Sequence, residues 1–150
     1  MNRSYDLSRF VDAHKNSYET ALNEIKNGHK DTHWMWYIFP QIKGLGYSTI
    51  SKHYAIQSPD EAKAFLDDEY LGGHLKEISN ELMKLDKNDP IEIFGRPDYM
   101  KLMSSMTLFA YVSDHGSVFH NVLDKYFNGN TDPKTIYIIK NREDILNENK

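Results

Sequence analysis

The residues with the widest range of possible chemistry lie in one aromatic block, residues 32–41. It contains both tryptophans of the chain, Trp34 and Trp36, and adds three polar side chains, His33, Tyr37 and Gln41. Each large ring removes roughly 150–250 Å² from water, so most of the block is expected to be buried. Buried polar groups need hydrogen-bond partners. The block is therefore either an internally satisfied core or the wall of a ligand site.

His33 is the histidine that the sequence favours for acid, base or donor chemistry. Helical spacing would place it beside Trp36 and Tyr37, which follow three and four residues later. An imidazole enclosed by rings can change charge near neutral pH. The alternative is a core histidine that is satisfied by a backbone carbonyl group.

A second polar set interrupts the apolar segment 98–113. Lys101, Ser104 and Ser105 are spaced by three and four residues, which places them on one face of a helix, and Arg96 lies just upstream. This spacing is compatible with the lining of an anion pocket. The alternative is that the hydroxyl groups donate to carbonyl groups four residues earlier.

The turn at Gly44-Leu45-Gly46, flanked by Lys43 and Lys52, leads to Ser48, which is expected to cap a helix. Free N–H groups at such a point attract a phosphate or carboxylate. An ordinary tight turn followed by a cap is the alternative.

Several classes of function are disfavoured by composition. The chain has no cysteine, which excludes disulfides, thiol catalysis and zinc–thiolate sites. Its histidines lack known metal-ligand spacings, and no catalytic triad pattern accompanies the serines. We therefore expect no metal and no cofactor, and the sequence names no catalytic residue. A net charge of -4 disfavours nucleic-acid binding. Without an apolar run or a signal segment, we expect a cytoplasmic protein that does not enter a membrane.

The periodicity of apolar residues predicts an all-α, single compact domain over residues 1–140, with a polar tail at 141–150. About six to eight helices are expected around a central buried helix. Asp6 and Thr32 are expected to cap the first two helices, and Gly28 to end the first. The helices expected most firmly cover residues 59–65, 75–85 and 99–112, the first of them opened by a capping box at Ser58. A short turn of helix is expected to begin at Asp89-Pro90, and a short last helix at Asp132-Pro133, although residues 135–139 have strand propensity. No sheet of three or more strands is expected.

Several segments of the chain together form a specific pattern: Asp6-Leu7-x-Arg9-Phe10-Val11, His33-Trp34-Met35-Trp36, Phe39-Pro40-Gln41, Gly44-Leu45-Gly46-x-Ser48, Ile93-Phe94-Gly95 and residues 101–109. In these segments the sequence resembles a bacterial family, domain of unknown function 1810, sometimes mislabelled calpastatin. The chain departs from the family pattern at His29 and Tyr37, where arginine and phenylalanine are expected. The resemblance implies an all-helical cytoplasmic protein, and it implies no catalytic residues and no protease inhibition.

Two functions remain open. The first is a site for a small planar anion, such as a nucleotide or sugar-phosphate derivative, and it leaves open whether the protein is an enzyme. Its candidate residues are His33, Trp34, Trp36, Tyr37, Gln41, Ser48, Arg96, Lys101, Ser104 and Ser105. The second is a helical protein–protein interaction module without a small ligand. The first predicts that the aromatic block and residues 101–105 meet across one cavity. The sequence leaves the oligomeric state open.

Overall fold

The computed structural model describes the backbone of residues 5–148 and the side chains of residues 5–141. Within that backbone there are nine helices and no strand, only an isolated bridge between Ile42 and Ile56. The helices are α1 (Ser8–Lys26), α2 (Met35–Ile38), α3 (Thr49–Tyr54), α4 (Pro59–Asp67), α5 (Glu69–Lys84), α6 (Pro90–Phe94), α7 (Asp98–Tyr111), α8 (Val118–Phe127) and α9 (Pro133–Glu148). The all-α prediction is confirmed.

Helix α7 is the buried helix that its apolar composition predicts. It packs against α4, α6, α8 and α9. Its apolar side chains Leu102, Met106, Leu108 and Phe109 are fully buried, and the polar Ser105 and Thr107 are buried with them. Helix α5 forms the other large contact surface, against α1, α4 and α8. The core lies between these two sets of helices.

Local capping chemistry explains where α4 and α6 begin. Ser58 accepts a hydrogen bond from the backbone N–H of Glu61, and Pro59 occupies the first helical turn. Asp89 accepts one from the backbone N–H of Ile91 in the same way. Gly95 then ends α6 at a φ of 72°, which favours glycine. These starts agree with the sequence.

Three boundaries differ from the prediction. Asp6 accepts a hydrogen bond from the N–H of Ser8, but the residue at the cap position of α1 is Leu7. Thr32 caps nothing, because its hydroxyl group donates to Glu24 and α2 begins three residues later. Helix α5 begins at Glu69, since Asp68 accepts hydrogen bonds from two N–H groups of its first turn.

The early start of α5 carries two glycines into a helix. Gly72 is buried where α5 turns back on α4, and a Cβ atom there would lie 2.0 Å from the carbonyl oxygen of Leu66. Only glycine allows this approach. The last helix, predicted to be short, has sixteen residues. The predicted tail, residues 141–150, lies mostly outside the residues whose side chains are described.

Candidate functional site

A cleft forms where the chain turns after the aromatic block. The N–H of Ile56 donates to the carbonyl of Gln41 at 2.8 Å, and the N–H of Lys43 donates to the carbonyl of Ile56 at 2.8 Å. These two bonds hold residues 41–43 alongside residues 55–57. Two amides and a lysine, Gln41, Gln57 and Lys43, are thereby fixed around one opening.

Two glycines allow the tight turn that borders this opening. Gly44 has a φ of 111°, a conformation that other residues rarely adopt. A Cβ atom on Gly46 would lie 2.5 Å from the Cβ of Ser51, so the turn packs directly on α3. Ser48 starts α3 by accepting a hydrogen bond from the N–H of Ser51, as the sequence predicts.

The cleft has a volume of about 520 Å³. Its walls combine three large rings, two lysines and two side-chain amides. The lining residues are Trp36, Gln41, Ile42, Lys43, Gly44, Gly46, Tyr47, Ser51, Lys52, Tyr54, Ala55 and Gln57. Aromatic faces beside positive charge suit a planar molecule that carries a negative group.

An apolar groove of about 590 Å³ adjoins the cleft. Its lining residues are His33, Trp36, Tyr37, Ile50 and Tyr54, so it shares Trp36 and Tyr54 with the cleft. The rings of Tyr37 and Tyr54 lie 5.1 Å apart and are tilted by 56°. The Tyr37 hydroxyl donates to Ser17 Oγ at 3.0 Å, which fixes this wall.

Trp36 also contacts a charged pair from α7. The Nζ of Lys101 lies 5.2 Å from the centroid of the Trp36 ring and 3.3 Å from Asp98 Oδ1. The other oxygen of Asp98 accepts from Lys30 Nζ at 2.8 Å. One carboxylate therefore serves two lysines, and Lys101 approaches the aromatic block as the sequence suggested.

The remaining predicted residues are divided among several places. Trp34 is in the core, His33 is exposed at the groove, and Ser48 is the cap of α3. Arg96 lies over the Tyr99 ring. Ser104 donates to Asp132, which lies just before α9, and Ser105 is fully buried.

Neither the cleft nor the groove includes residues 101–105. The structure therefore does not form the single cavity that was predicted for the aromatic block and residues 101–105.

The enclosed histidine of the fold is His14 rather than His33. His14 is 2% exposed, on the apolar stripe of α1. Its Nε2 lies 2.9 Å from the carbonyl oxygen of Tyr37, and its Nδ1 lies 3.0 Å from the Nδ1 of His74. A carbonyl only accepts, so His14 Nε2 carries a proton and His14 Nδ1 accepts from His74.

Burial sets the charge state of this histidine pair. It lowers the pKa of His14 to about 4, although the hydrogen bond to Tyr37 opposes the change. Burial also lowers the pKa of His74. Tyr18 stacks on His74 with ring centroids 3.6 Å apart and donates to Glu77 at 2.5 Å. Sequence reasoning missed the pair because its members are distant in the chain, and the only signal was a histidine on an apolar stripe.

The Trp34 end of the block is held by a buried carboxylate, Glu24. Its oxygens accept from the backbone N–H groups of Asp31 and Thr32, from the Thr32 hydroxyl and from the indole of Trp34. Burial alone would raise the pKa of Glu24, but these hydrogen bonds outweigh it and lower the pKa to about 2. Glu24 is therefore a charged structural anchor.

In the part of the chain that the structure describes, no three histidine, cysteine or acidic side chains are grouped so as to hold a metal ion. None of the described helices combines the length and apolar character that a membrane crossing requires.

Known proteins support the resemblance read from the sequence. A family model described as a protein of unknown function (DUF1810) matches residues 4–139. The crystal structure of the conserved hypothetical protein Rv1873 from Mycobacterium tuberculosis is 40% identical and superposes with a TM-score of 0.88. That match covers 91% of this chain and 97% of the other. No curated protein matches significantly.

Proposed function

Because the chain belongs to the family described as a protein of unknown function (DUF1810), we propose its function from the cleft. The cleft binds a small planar anion of the nucleotide or sugar-phosphate class. The observation that carries this proposal is that Trp36, Lys52 and Gln41 line one cavity together. Ligand pockets usually combine apolar walls with a few polar groups that fix orientation.

Each kind of side chain has a distinct task in this proposal. The rings of Trp36, Tyr47 and Tyr54 offer faces on which a planar group stacks. Lys43 and Lys52 lie on the same cleft and favour a negative group near its mouth. The described residues that line the cleft include no aspartate or glutamate to offset these two positive charges.

One observation favours the alternative, an interaction module. Tyr47 is 79% exposed and Ile50 is 48% exposed, and both belong to the segment that bounds the cleft and the groove. Exposed apolar side chains close together are typical of a surface that contacts another molecule. The two functions are separated by whether small anions alone stabilise the protein.

A thermal-shift measurement with AMP, ADP and ribose 5-phosphate tests the proposal. A ligand at 100 times its dissociation constant stabilises a protein by about 2.7 kcal/mol. We expect a shift with at least one of these anions, and Lys52→Met should weaken its binding roughly tenfold, since one charge-assisted contact is lost.

Lys15→Met is the matched control, because Lys15 is exposed on α1 and lies outside the cleft. It makes the same change of charge at a distance and should leave the shift as it is in the wild type. No stabilisation by any of the three anions, or an equal loss in both variants, would overturn the proposal and favour the interaction module.

A further inference from the structure

We propose that the ligand carries a second planar group, which lies in the apolar groove, so that its class is two ring systems joined through phosphate. A dinucleotide is the simplest member of that class. This inference rests on the proposed function, because the cleft holds the phosphate. It adds a separate compartment with its own chemistry.

The two compartments are continuous. Trp36 and Tyr54 line both of them, so a molecule in the cleft touches the same rings that bound the groove. Helix α3 contributes side chains to both compartments. Lys52 is directed to the cleft, whereas Ile50 and Tyr54, four residues apart and thus on one face, line the groove.

The walls of the groove favour an uncharged, flat group. Its five lining residues include no lysine, arginine or carboxylate, and His33 is its single titratable group besides the tyrosines. The lysines of the cleft, in contrast, favour the anion. A ligand that matches both compartments therefore has its charge in the cleft and an additional ring outside it.

The groove is also preorganised. The Tyr37 hydroxyl oxygen lies 3.0 Å from Ser17 Oγ and 3.3 Å from the carbonyl oxygen of His33, within hydrogen-bond distance of both. The ring of Tyr54 is held from the other side by Phe10, whose centroid lies 6.1 Å away. Aromatic walls that are fixed before binding lose little conformational freedom when a ring stacks on them.

Each compartment is large enough to hold one ring system of the same ligand. Volumes of about 520 and 590 Å³ each lie in the range of a complete ligand pocket. A ligand confined to the cleft would leave an apolar groove of similar size in water, with Ile50 still 48% exposed. Burying that surface under a second ring adds favourable apolar contact.

Calorimetric titrations with ADP and with diadenosine diphosphate test the inference. Both ligands contain the same diphosphate and one adenosine, and they differ by the second adenosine. We expect the wild type to bind diadenosine diphosphate roughly tenfold more tightly, which is the gain expected for one added base-to-ring stack. Ile50→Asn should remove this gain and leave the affinity for ADP unchanged.

Two controls separate this inference from the proposed function. Met100→Asn makes the same kind of change at an exposed apolar residue that lines neither compartment, and it should keep the gain. Lys52→Met should weaken both ligands. Equal affinities in the wild type, or a gain that survives Ile50→Asn, would overturn the second-ring site while ADP binding that depends on Lys52 upholds the cleft. If neither ligand binds, both proposals fail.

Discussion

Trp34 and Trp36 are two residues apart in the chain and occupy opposite kinds of environment. Trp34 is 1% exposed, and its indole N–H donates to Glu24 at 2.9 Å. Trp36 is half-buried, lines both the cleft and the groove, and has Lys101 over its ring. One aromatic block thus supplies both a core residue and a wall of the candidate site.

The start of helix α2 lies between the two rings. Trp34 is the residue immediately before α2 and has a non-helical φ of -138°, whereas Trp36 lies inside the helix, so their side chains leave the backbone towards different neighbours. The chain places Glu24 and Phe94 on the inner side, where the Phe94 ring lies 6.3 Å from that of Trp34. The outer side faces α3 and the cleft. A high density of aromatic residues in a sequence therefore does not show whether those residues form a core or a ligand site.

The largest expected effect compares the two tryptophans directly. Trp34→Ala should cost roughly 3–5 kcal/mol of unfolding free energy, the usual range for a large ring removed from a core. Trp36→Ala should cost only about 1–2 kcal/mol, because less of its ring leaves water on folding. Urea denaturation of both variants measures the difference. Equal losses would mean that Trp36 is a core residue too.

An effect of intermediate size is expected when the pH is lowered. It depends on His14, whose ring is hydrogen-bonded to the carbonyl of Tyr37 in the aromatic block. The pKa of His14 is about 4 in the folded protein, below its ordinary value of 6.5, so the unfolded chain binds a proton first as pH falls. The lowered pKa of His74 acts in the same direction. The free energy of unfolding that is linked to neutral His14 should be fully present above pH 6.5. It should decrease by roughly 3 kcal/mol as the pH falls towards 4.

The variant His14→Gln checks the origin of that loss. It cannot gain a proton in this range, so its urea midpoint should change much less between pH 6.5 and 4 than that of the wild type. The neighbouring charges that bear on the pair, Asp68 and Glu77, are unchanged in this variant. An unaltered pH profile would show that other groups cause the decrease.

The smallest effect is expected for Lys101→Met. Asp98 keeps its ion pair with Lys30 at 2.8 Å, and a partly exposed cation over a ring contributes little, so the cost should stay below about 1 kcal/mol. ADP binding should weaken less than in Lys52→Met, because Lys101 does not line the cleft. A larger loss in Lys101→Met would mean that residues 101–105 reach the ligand, as the sequence predicted.

The sequence correctly predicted helix starts that depend on residues close together in the chain. The caps at Ser58 and Asp89 depend on donors two or three residues away, and both are formed. The prediction of Thr32 as a cap was wrong because its hydroxyl donates a hydrogen bond to the carboxylate of Glu24, eight residues earlier. The sequence favoured His33 because the aromatic residues Trp36 and Tyr37 follow it by three and four positions.

The candidate site was predicted only in part, because some of its residues are distant from one another in the chain. Trp36 and Gln41 were predicted as ligand-binding candidates and line the cleft, but Tyr54 and Gln57 join them only through the bridge between residues 42 and 56. A single parallel bridge leaves no repeating pattern in the sequence. His14 likewise meets His74 only after α1 and α5 pack together.

The four hydrogen bonds to Glu24 have a consequence for how protons exchange with solvent. Residues 31 and 32 belong to no helix, yet their backbone N–H groups donate to a buried carboxylate at 2.7 and 3.0 Å. Their amide hydrogens should therefore exchange with deuterium as slowly as those of a helix, since exchange requires this segment to open. The indole hydrogen of Trp34 is held by the same oxygen, Oε1, so all three should become fast together when Glu24 is replaced by methionine, which has no oxygen to accept them. A short irregular segment would in this way report the integrity of the surrounding core.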